Sequence, residues 1–213
     1  MPVSSLSKMT VPLASDQSAS TQGLLMPKLK YRFRVAFENF GALNSATPVT
    51  EMTKQVMDFT RPTVSFEDIL IPIYNSTIKL AGKPSWSEIT VNLRDDAGGN
   101  VSKLVGQQLQ KQFDFMEMAS ASSGIDYKFF TKLQVLDGGN GGSEPVVLET
   151  WEMYGCYLKQ VNYGDANYGE NNPMTIALTM QYDNANQAET DLGVGSVIGR
   201  TFGDVVTGAA TPA

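Results

Sequence analysis

The chain has 213 residues, a formal net charge of −6, one cysteine and no histidine. One domain is expected at this length, and the 42% of hydrophobic residues can build a core, which excludes wholesale disorder. Without histidine the Ser-His-Asp and Cys-His catalytic arrangements are excluded, and the acidic balance argues against sequence-specific DNA binding, which needs a basic surface.

No segment predicts export or a membrane span. No apolar run approaches the roughly 18–20 residues that cross a bilayer. The N-terminus lacks the apolar block of a secretory signal, and Cys156 has no partner for an intrachain disulfide, which is typical of a reducing compartment. We therefore expect no secretion and no stable membrane insertion.

The N-terminal quarter of the chain changes character at Lys28. Residues 1–27 are rich in Ser, Thr and Ala without a stable period, which predicts an N-terminal arm. From Lys28 charged and apolar residues alternate, and this period of two predicts a strand. Its apolar face carries Leu29, Tyr31, Phe33, Val35 and Phe37. A loop is predicted over about residues 39–50, where glycine, asparagine and proline recur.

Four further strands are predicted before residue 95. In chain order they cover residues 53–60, 64–71 and 75–80 and the stretch with Ile89, Val91 and Leu93. Arg61-Pro62 separates the first two, and Pro72 breaks the chain before the third. Gly82-Lys83-Pro84 is a turn signal before the fourth.

One helix is predicted, beginning with Asn100 as its N-cap and ending in residues 120–124. Apolar residues recur in it at steps of three and four: Val101, Leu104, Val105, Leu109, Phe113 and Met116. Gly106 costs about 1 kcal/mol relative to alanine at this position, so the helix depends on packing.

The remaining pattern predicts a hairpin and a last strand. A strand starting at Tyr127 and running to Val135 is followed by the glycine-rich loop 137–143 and a partner strand over about residues 146–157. The last strand covers residues 174–182, and residues 184–213 are predicted to be a C-terminal arm.

These elements predict a mainly β domain over residues 28–183. With about eight strands and one helix, the predicted fold is an antiparallel β-sandwich or small barrel with the helix packed on it. Most aromatic residues are predicted to lie in its core, among them Tyr31, Phe33, Phe129 and Trp151.

Few sequence patterns in the chain indicate a catalytic, cofactor-binding or metal-binding site. The glycines of residues 193–199 do not match a dinucleotide-binding spacing, and Asp95-Asp96 lacks the later ligands of a calcium loop. Pairs of carboxylates are the enzymatic option that remains: Glu67-Asp68, Asp95-Asp96, and Glu149 with Glu152. Adjacent acids on exposed strands are usually solvated charges. We predict no catalytic residue, no cofactor and no metal.

Several segments taken in order resemble the tail tube proteins of contractile-tailed bacteriophages. They are Phe59-Thr60-Arg61-Pro62, Ile71-Pro72-Ile73, Ile78-Lys79-Leu80-Ala81-Gly82 and Trp86-Ser87-Glu88-Ile89-Thr90-Val91, then the helix after Asp95-Asp96 and Trp151-Glu152-Met153-Tyr154-Gly155-Cys156-Tyr157-Leu158. The resemblance covers about residues 28–183 and rests on the order of the elements. The two arms depart from the compact members of the family.

The resemblance implies a structural virion protein. Such a protein forms rings of six, which stack into the inner tube of the tail, and the tube conducts DNA into the host cell. Its implied partners are copies of itself, the tail sheath, the baseplate protein that initiates the tube, the tail terminator and a tape measure protein in the lumen. Its implied place is the phage tail, assembled in the cytoplasm of the bacterial host.

An acidic chain suits such a tube, because a bore with negative charge repels phosphate and lets DNA pass without binding it. We therefore predict that acidic residues on the polar sides of candidate wall strands line the bore. The candidates are Asp58, Glu67, Asp68 and Glu88.

Three alternatives remain open at this point. One is the tube protein of a related machine that carries no DNA, such as a tailocin or a type VI secretion system. Another is a monomeric β domain that binds or hydrolyses carbohydrate, which would need a small-molecule site. A third arrangement, a baseplate or tail-completion protein of the same fold, would form single rings that do not polymerise.

Overall fold

The computed structural model describes residues 28–41, 50–138, 145–187 and 193–195. The predicted arm 1–27 lies outside this part of the chain, as do residues 139–143 of the predicted glycine-rich loop and most of the predicted C-terminal arm. The domain boundaries at both arms therefore stay predictions.

The described chain is mainly β and antiparallel, as the sequence predicts. Its strands are β1 (Phe33–Glu38), β2 (Val56–Phe59), β3 (Val64–Ile73), β4 (Ser76–Trp86), β5 (Ile89–Arg94), β6 (Phe113–Asp114), β7 (Ala119–Ser120), β8 (Phe129–Leu136), β9 (Val147–Asn162), β10 (Thr175–Gln181) and β11 (Asn184–Gln187). Its helices are α1 (Thr50–Lys54), α2 (Asn100–Gln112) and α3 (Gly124–Tyr127).

The long strand β9 organises the main sheet, whose strand order is β1-β8-β9-β10-β5-β2. The N-terminal part of β9 pairs with β8 and β11, and its C-terminal part pairs with β10. Gly155 lies at the change of partners with a φ of 67°, a left-handed conformation that glycine adopts without steric cost. The predicted hairpin between residues 127–135 and 146–157 is confirmed by the pairing of β8 with β9.

The core lies against the inner faces of β5, β8 and β10. Alternate residues of these strands are buried, as the period of two predicts. Ile89, Val91 and Leu93 on β5 are completely buried, and they share one core cluster with Leu178 on β10 and Leu133 on β8. Each such side chain stabilises the fold by about 1.5–3 kcal/mol through the water it excludes.

Helix α2 packs on this core through Val101, Leu104 and Val105. Two of its glutamines also satisfy backbone groups of other elements. The Gln108 amide accepts a hydrogen bond from the backbone N–H of Gly41 at 3.0 Å and donates to the carbonyl of Tyr127. Gln112 donates to the carbonyl of Leu158 on β9 and accepts from its N–H at 2.8 Å. These bonds fix the position of the helix against the sheet.

The predicted ends of α2 are wrong. The side chain that caps its start is that of Asp96, which accepts hydrogen bonds from the N–H groups of Asn100 and Val101 at 2.8 Å and 3.2 Å. At the other end the helix stops at Gln112, because Asp114 accepts from the N–H of Met116 at 2.9 Å and so closes a turn. Met116 consequently lies outside the helix.

The predicted turn at Gly82-Lys83-Pro84 is also wrong, and so is the break at Pro72. Both prolines lie inside strands, Pro72 in β3 and Pro84 in β4. Among the described residues these two strands pair only with each other, so each proline can lie with its missing N–H position at an open edge. The actual turn is at Tyr74-Asn75, and a bulge interrupts the register between Phe66 and Asp68.

Three smaller predictions also need correction. Residues 50–54 form α1, because the helical turn places Met52 in the core; the strand predicted over residues 53–60 is therefore reduced to β2. Tyr31 precedes β1 and is 72% exposed, although Phe129 is buried and Phe33 and Trp151 are partly buried against the core. Residues 184–187, predicted to begin an arm, form β11 and pair with β9.

Two glycines should respond oppositely to alanine. In Gly155→Ala the new methyl group would lie 2.1 Å from an Asp183 side-chain oxygen at a φ of 67°, so we expect unfolding to become easier by about 1–2 kcal/mol. Gly106→Ala is the matched control: a methyl group there meets no atom within 4 Å, and the helix should gain about 1 kcal/mol. Urea unfolding of both variants measures this. Equal effects would contradict the role given to Gly155.

Candidate assembly surface

The strands β3 and β4 form a two-stranded hairpin separate from the main sheet. Every residue of β3 is exposed, and so are nine of the eleven residues of β4. At its base the hairpin is anchored to the body by Trp86, whose ring lies 5.7 Å from that of the buried Tyr182. The hairpin therefore extends from the domain without cover from other described residues.

One side of this hairpin consists of aliphatic residues. The register places Ile69 opposite Leu80 and Ile71 opposite Ile78, and residues directly opposite each other share a face. With Ile73 they form a surface that we call the aliphatic face: Ile69, Ile71, Ile73, Ile78 and Leu80. Their side chains are 42–50% exposed. Alternation along β3 places Glu67 at the base of the same face.

The other side of the hairpin is mixed. Phe66, Asp68 and Leu70 alternate along β3 there, and Lys79 approaches Asp68 at 4.0 Å. An exposed ion pair of this kind contributes about 0–1 kcal/mol at most. Burial against a partner would therefore release more free energy at the aliphatic face than at the mixed face.

A hairpin with this composition is not a stable end state in water. A hairpin of two strands alone is only marginally stable. A contiguous exposed apolar surface usually marks an interaction site. The sequence carried a signal for it: Ile69-Leu70-Ile71-Pro72-Ile73 is an unbroken apolar run, typical of a strand covered on both faces. The run predicted a strand, but it did not predict that the rest of the domain leaves the strand uncovered.

The four acidic residues predicted to line a bore lie on three separate parts of the chain. Asp58 is on β2, where its two oxygens accept hydrogen bonds from the Asn92 amide at 2.9 Å and 3.0 Å. Glu88 lies between β4 and β5 and forms an ion pair with Lys159. Glu67 and Asp68 lie on the hairpin. The four are not brought together as one site, and their place in a bore stays a prediction.

The outer face of β5 and β10 is polar but carries little charge. Thr179 lies opposite Thr90, and Ala177 opposite Asn92, in the register of the two strands. We call these four residues with Thr175 the threonine face. Their inward neighbours are core residues, so the face is a rigid layer of short hydroxyl, amide and methyl groups.

Two of the carboxylates that could have served hydrolysis, Glu149 and Glu152, are engaged in structural contacts. Burial opposes the ionisation of Glu149, but hydrogen bonds from Lys28 and Trp151 keep its pKa below the ordinary value. A hydrogen bond from Tyr154, followed by contact with Lys132, lowers the pKa of Glu152.

Across the described residues there is no cluster of acidic and cysteine side chains placed to hold a metal ion. Within the same ranges no helix is long and apolar enough to cross a membrane.

Comparison with known proteins finds solved structures with a similar fold. No family model and no curated protein matches the chain. Among solved structures, a chain in the six-fold symmetrised baseplate of the anti-feeding prophage matches with a TM-score of 0.53 at 15% identity, covering 77% of this chain and 97% of that one.

Two structures of an extracellular contractile injection system called PVC also match. A chain of its sheath/tube terminator in the extended state gives a TM-score of 0.53 at 15% identity, over 76% of this chain and 97% of that one. A chain of its sheath-tube complex gives 0.50 at 14% identity, over 80% and 97%. At these identities the comparison establishes a shared fold.

The single cysteine should be inert in the native protein. Burial raises the pKa of Cys156 to about 11, so almost no thiolate forms near neutral pH. We expect a thiol reagent at pH 8 to label the folded protein far more slowly than the same protein in denaturant. Labelling at equal rates in the two states would contradict the burial of Cys156 in the core.

Proposed function

We propose that this chain is a structural subunit, not an enzyme, that assembles with copies of itself into the tube of a contractile injection machine. The observation that carries the proposal is the uncovered aliphatic face of the β3–β4 hairpin. A monomeric carbohydrate-binding domain has no use for such an element, whereas a polymer subunit buries it against its neighbour. The fold shared with chains of tube, terminator and baseplate assemblies supports the same reading.

The proposed assembly is a ring of six that stacks into a tube. Both terminal strands of the main sheet, β1 and β2, have an open edge among the described residues. Open edges template pairing with other strands, and closure of a ring removes them. The six-fold symmetry of the anti-feeding prophage baseplate is consistent with this number of subunits.

We assign the tube to a phage tail, with DNA as its cargo. The threonine face suits the wall of such a bore, because its short side chains are uncharged and do not attract phosphate. Arg94 lies opposite Thr175, at the end of this face. Asp58 and Glu88 border that wall and add negative charge to it, although the ion pair with Lys159 weakens the contribution of Glu88. The sheath, tube initiator, terminator and tape measure protein are the partners that this assignment entails, within a virion assembled in the bacterial cytoplasm.

A DNA-free injection machine is the second candidate. It is favoured by one observation: the matched structures belong to an anti-feeding prophage and an extracellular contractile injection system. The two candidates share the tube and differ in cargo, so a measurement of how the assembled bore treats DNA separates them.

Self-association should depend on the hairpin. We expect the double variant Ile71→Asn, Ile78→Asn to remain monomeric where the wild type assembles, because it places two amides at the centre of the aliphatic face. Its fold should survive, since both side chains are about half exposed. Sedimentation velocity over a concentration series measures assembly.

Ile125→Asn is the control for this experiment. It makes the same chemical change at a more exposed isoleucine on α3, away from the hairpin. Assembly should be unaffected. If the hairpin variant assembles as well as this control does, the hairpin is not the assembly surface.

Charge at the wall should govern how assembled tubes treat DNA. We expect wild-type tubes not to retain DNA at low salt, and tubes of the Asp58→Lys, Glu88→Lys variant to retain it and release it as salt rises. Co-sedimentation of tubes with linear DNA measures retention. Equal behaviour of the two tubes would argue against these acids in the bore.

A further inference from the structure

A cationic groove lies between the open edges of β1 and β2. It has a volume of about 970 Å³ and is bordered by residues 28–35 on one side and by β2 on the other. Core residues such as Val35 and Leu133 form its floor. The groove is thus the seam where the main sheet does not close on itself, and its two walls are strand edges without partners among the described residues.

The groove gathers cations in an otherwise acidic chain. Six basic side chains line it, and Asp58 is its single acidic residue: the six are Lys28, Lys30, Arg32, Arg34, Arg61 and Arg94. They include every arginine in the described part of the chain. Arginine binds carboxylates in a two-pronged geometry that lysine cannot match, so this concentration points to an acidic ligand.

Some of these basic side chains have polar partners within the domain, and others have none among the described residues. Arg34 donates to the Gln134 amide at 2.7 Å and 2.9 Å, and Lys28 pairs with Glu149. Lys30 and Arg94, in contrast, form no ion pair and no side-chain hydrogen bond with any described residue. A ligand of the groove would therefore meet cations that are free to bind it.

We infer that the groove between β1 and β2 receives the β3–β4 hairpin of a second copy of this chain, with Glu67 of the hairpin facing Arg94 and Lys30. The inference rests on the proposed function and names the surface to which the hairpin docks. It also removes Glu67 from the bore, where the sequence had predicted it.

Two kinds of complementarity favour this occupant. The aliphatic face needs an apolar surface, and the groove offers a floor of core residues together with Phe33 and Val56. Glu67 lies at the base of that face, and its carboxylate forms no hydrogen bond and no ion pair with any described residue. A hairpin strand laid along an open edge could also add backbone hydrogen bonds, as in other cases of strand addition.

Charge reversal tests the contact. We expect Glu67→Lys and Arg94→Glu each to weaken self-association at least about tenfold, which corresponds to about 1.4 kcal/mol. The combined variant should recover most of the lost affinity, because the pair is restored with opposite polarity. Sedimentation equilibrium measures the association constants, and circular dichroism verifies the fold of each variant.

Matched controls make the same kinds of charge change outside the proposed contact. Asp68→Lys makes the same charge change one residue away, on the opposite face of the hairpin, and should leave association unchanged. Lys103→Glu is the control for Arg94→Glu, since Lys103 lies on α2 outside the groove lining and donates a hydrogen bond to the carbonyl of Gly98. Equal losses in all four single variants would overturn the inference in favour of a general charge effect.

A photo-crosslinker at Met57, on the wall of the groove, tests the occupant directly. Peptide mapping on a mixture of isotope-labelled and unlabelled protein should find crosslinks between copies, into residues 64–86. Crosslinks into residues 1–27, or within one copy, would overturn the docking. Assembly that tolerates both charge reversals would overturn the docking and leave the proposed function intact. A wild-type protein that never self-associates would overturn the docking and the proposed function together.

Discussion

The feature on which this account depends is an apolar surface that the domain cannot cover by itself. The main sheet and α2 enclose one core, in which alternate residues of β5, β8 and β10 are buried. The hairpin has no share in that core beyond its base at Trp86. Its five aliphatic side chains stay in contact with water, and each would gain free energy from burial elsewhere. The fold therefore contains a stable body and an element that needs a second molecule.

The charged residues are also unevenly distributed, between an acidic chain as a whole and one basic seam. Acidic residues predominate in the chain as a whole, but the arginines of the described part meet at one seam. Because like charges on two copies repel each other, contact through the basic seam is favoured over contact between acidic surfaces. Such a distribution specifies register and orientation more than it adds affinity. It suits a subunit that must join its neighbours in only one arrangement.

Local patterns were enough to predict the body of the fold. The alternation in β5, β8 and β10 and the apolar spacing in α2 reflect burial, which leaves a direct trace in the sequence. The ends of α2 were harder, because side chains outside the helix decide them: Asp96 caps its start and Asp114 closes the turn after it. Pro72 and Pro84 misled the prediction, since proline breaks a strand only where both edges are paired.

The candidate surfaces were less accessible from sequence. The apolar run of β3 was visible, but exposure depends on what the rest of the chain leaves uncovered. The cationic groove joins residues 28–35 to Arg61 and Arg94, and only the folded sheet brings these segments together. For the same reason the predicted bore residues fell on separate parts of the fold, with Asp58 beside β5 and Glu67 on the hairpin.

Electron microscopy of the purified, tag-free protein over a range of concentrations tests the central claim most directly. The account predicts hollow rings or tubes with six-fold symmetry, in which density for each hairpin reaches the neighbouring subunit. Particles that remain single subunits at every concentration, with the hairpin still open to solvent, would contradict it.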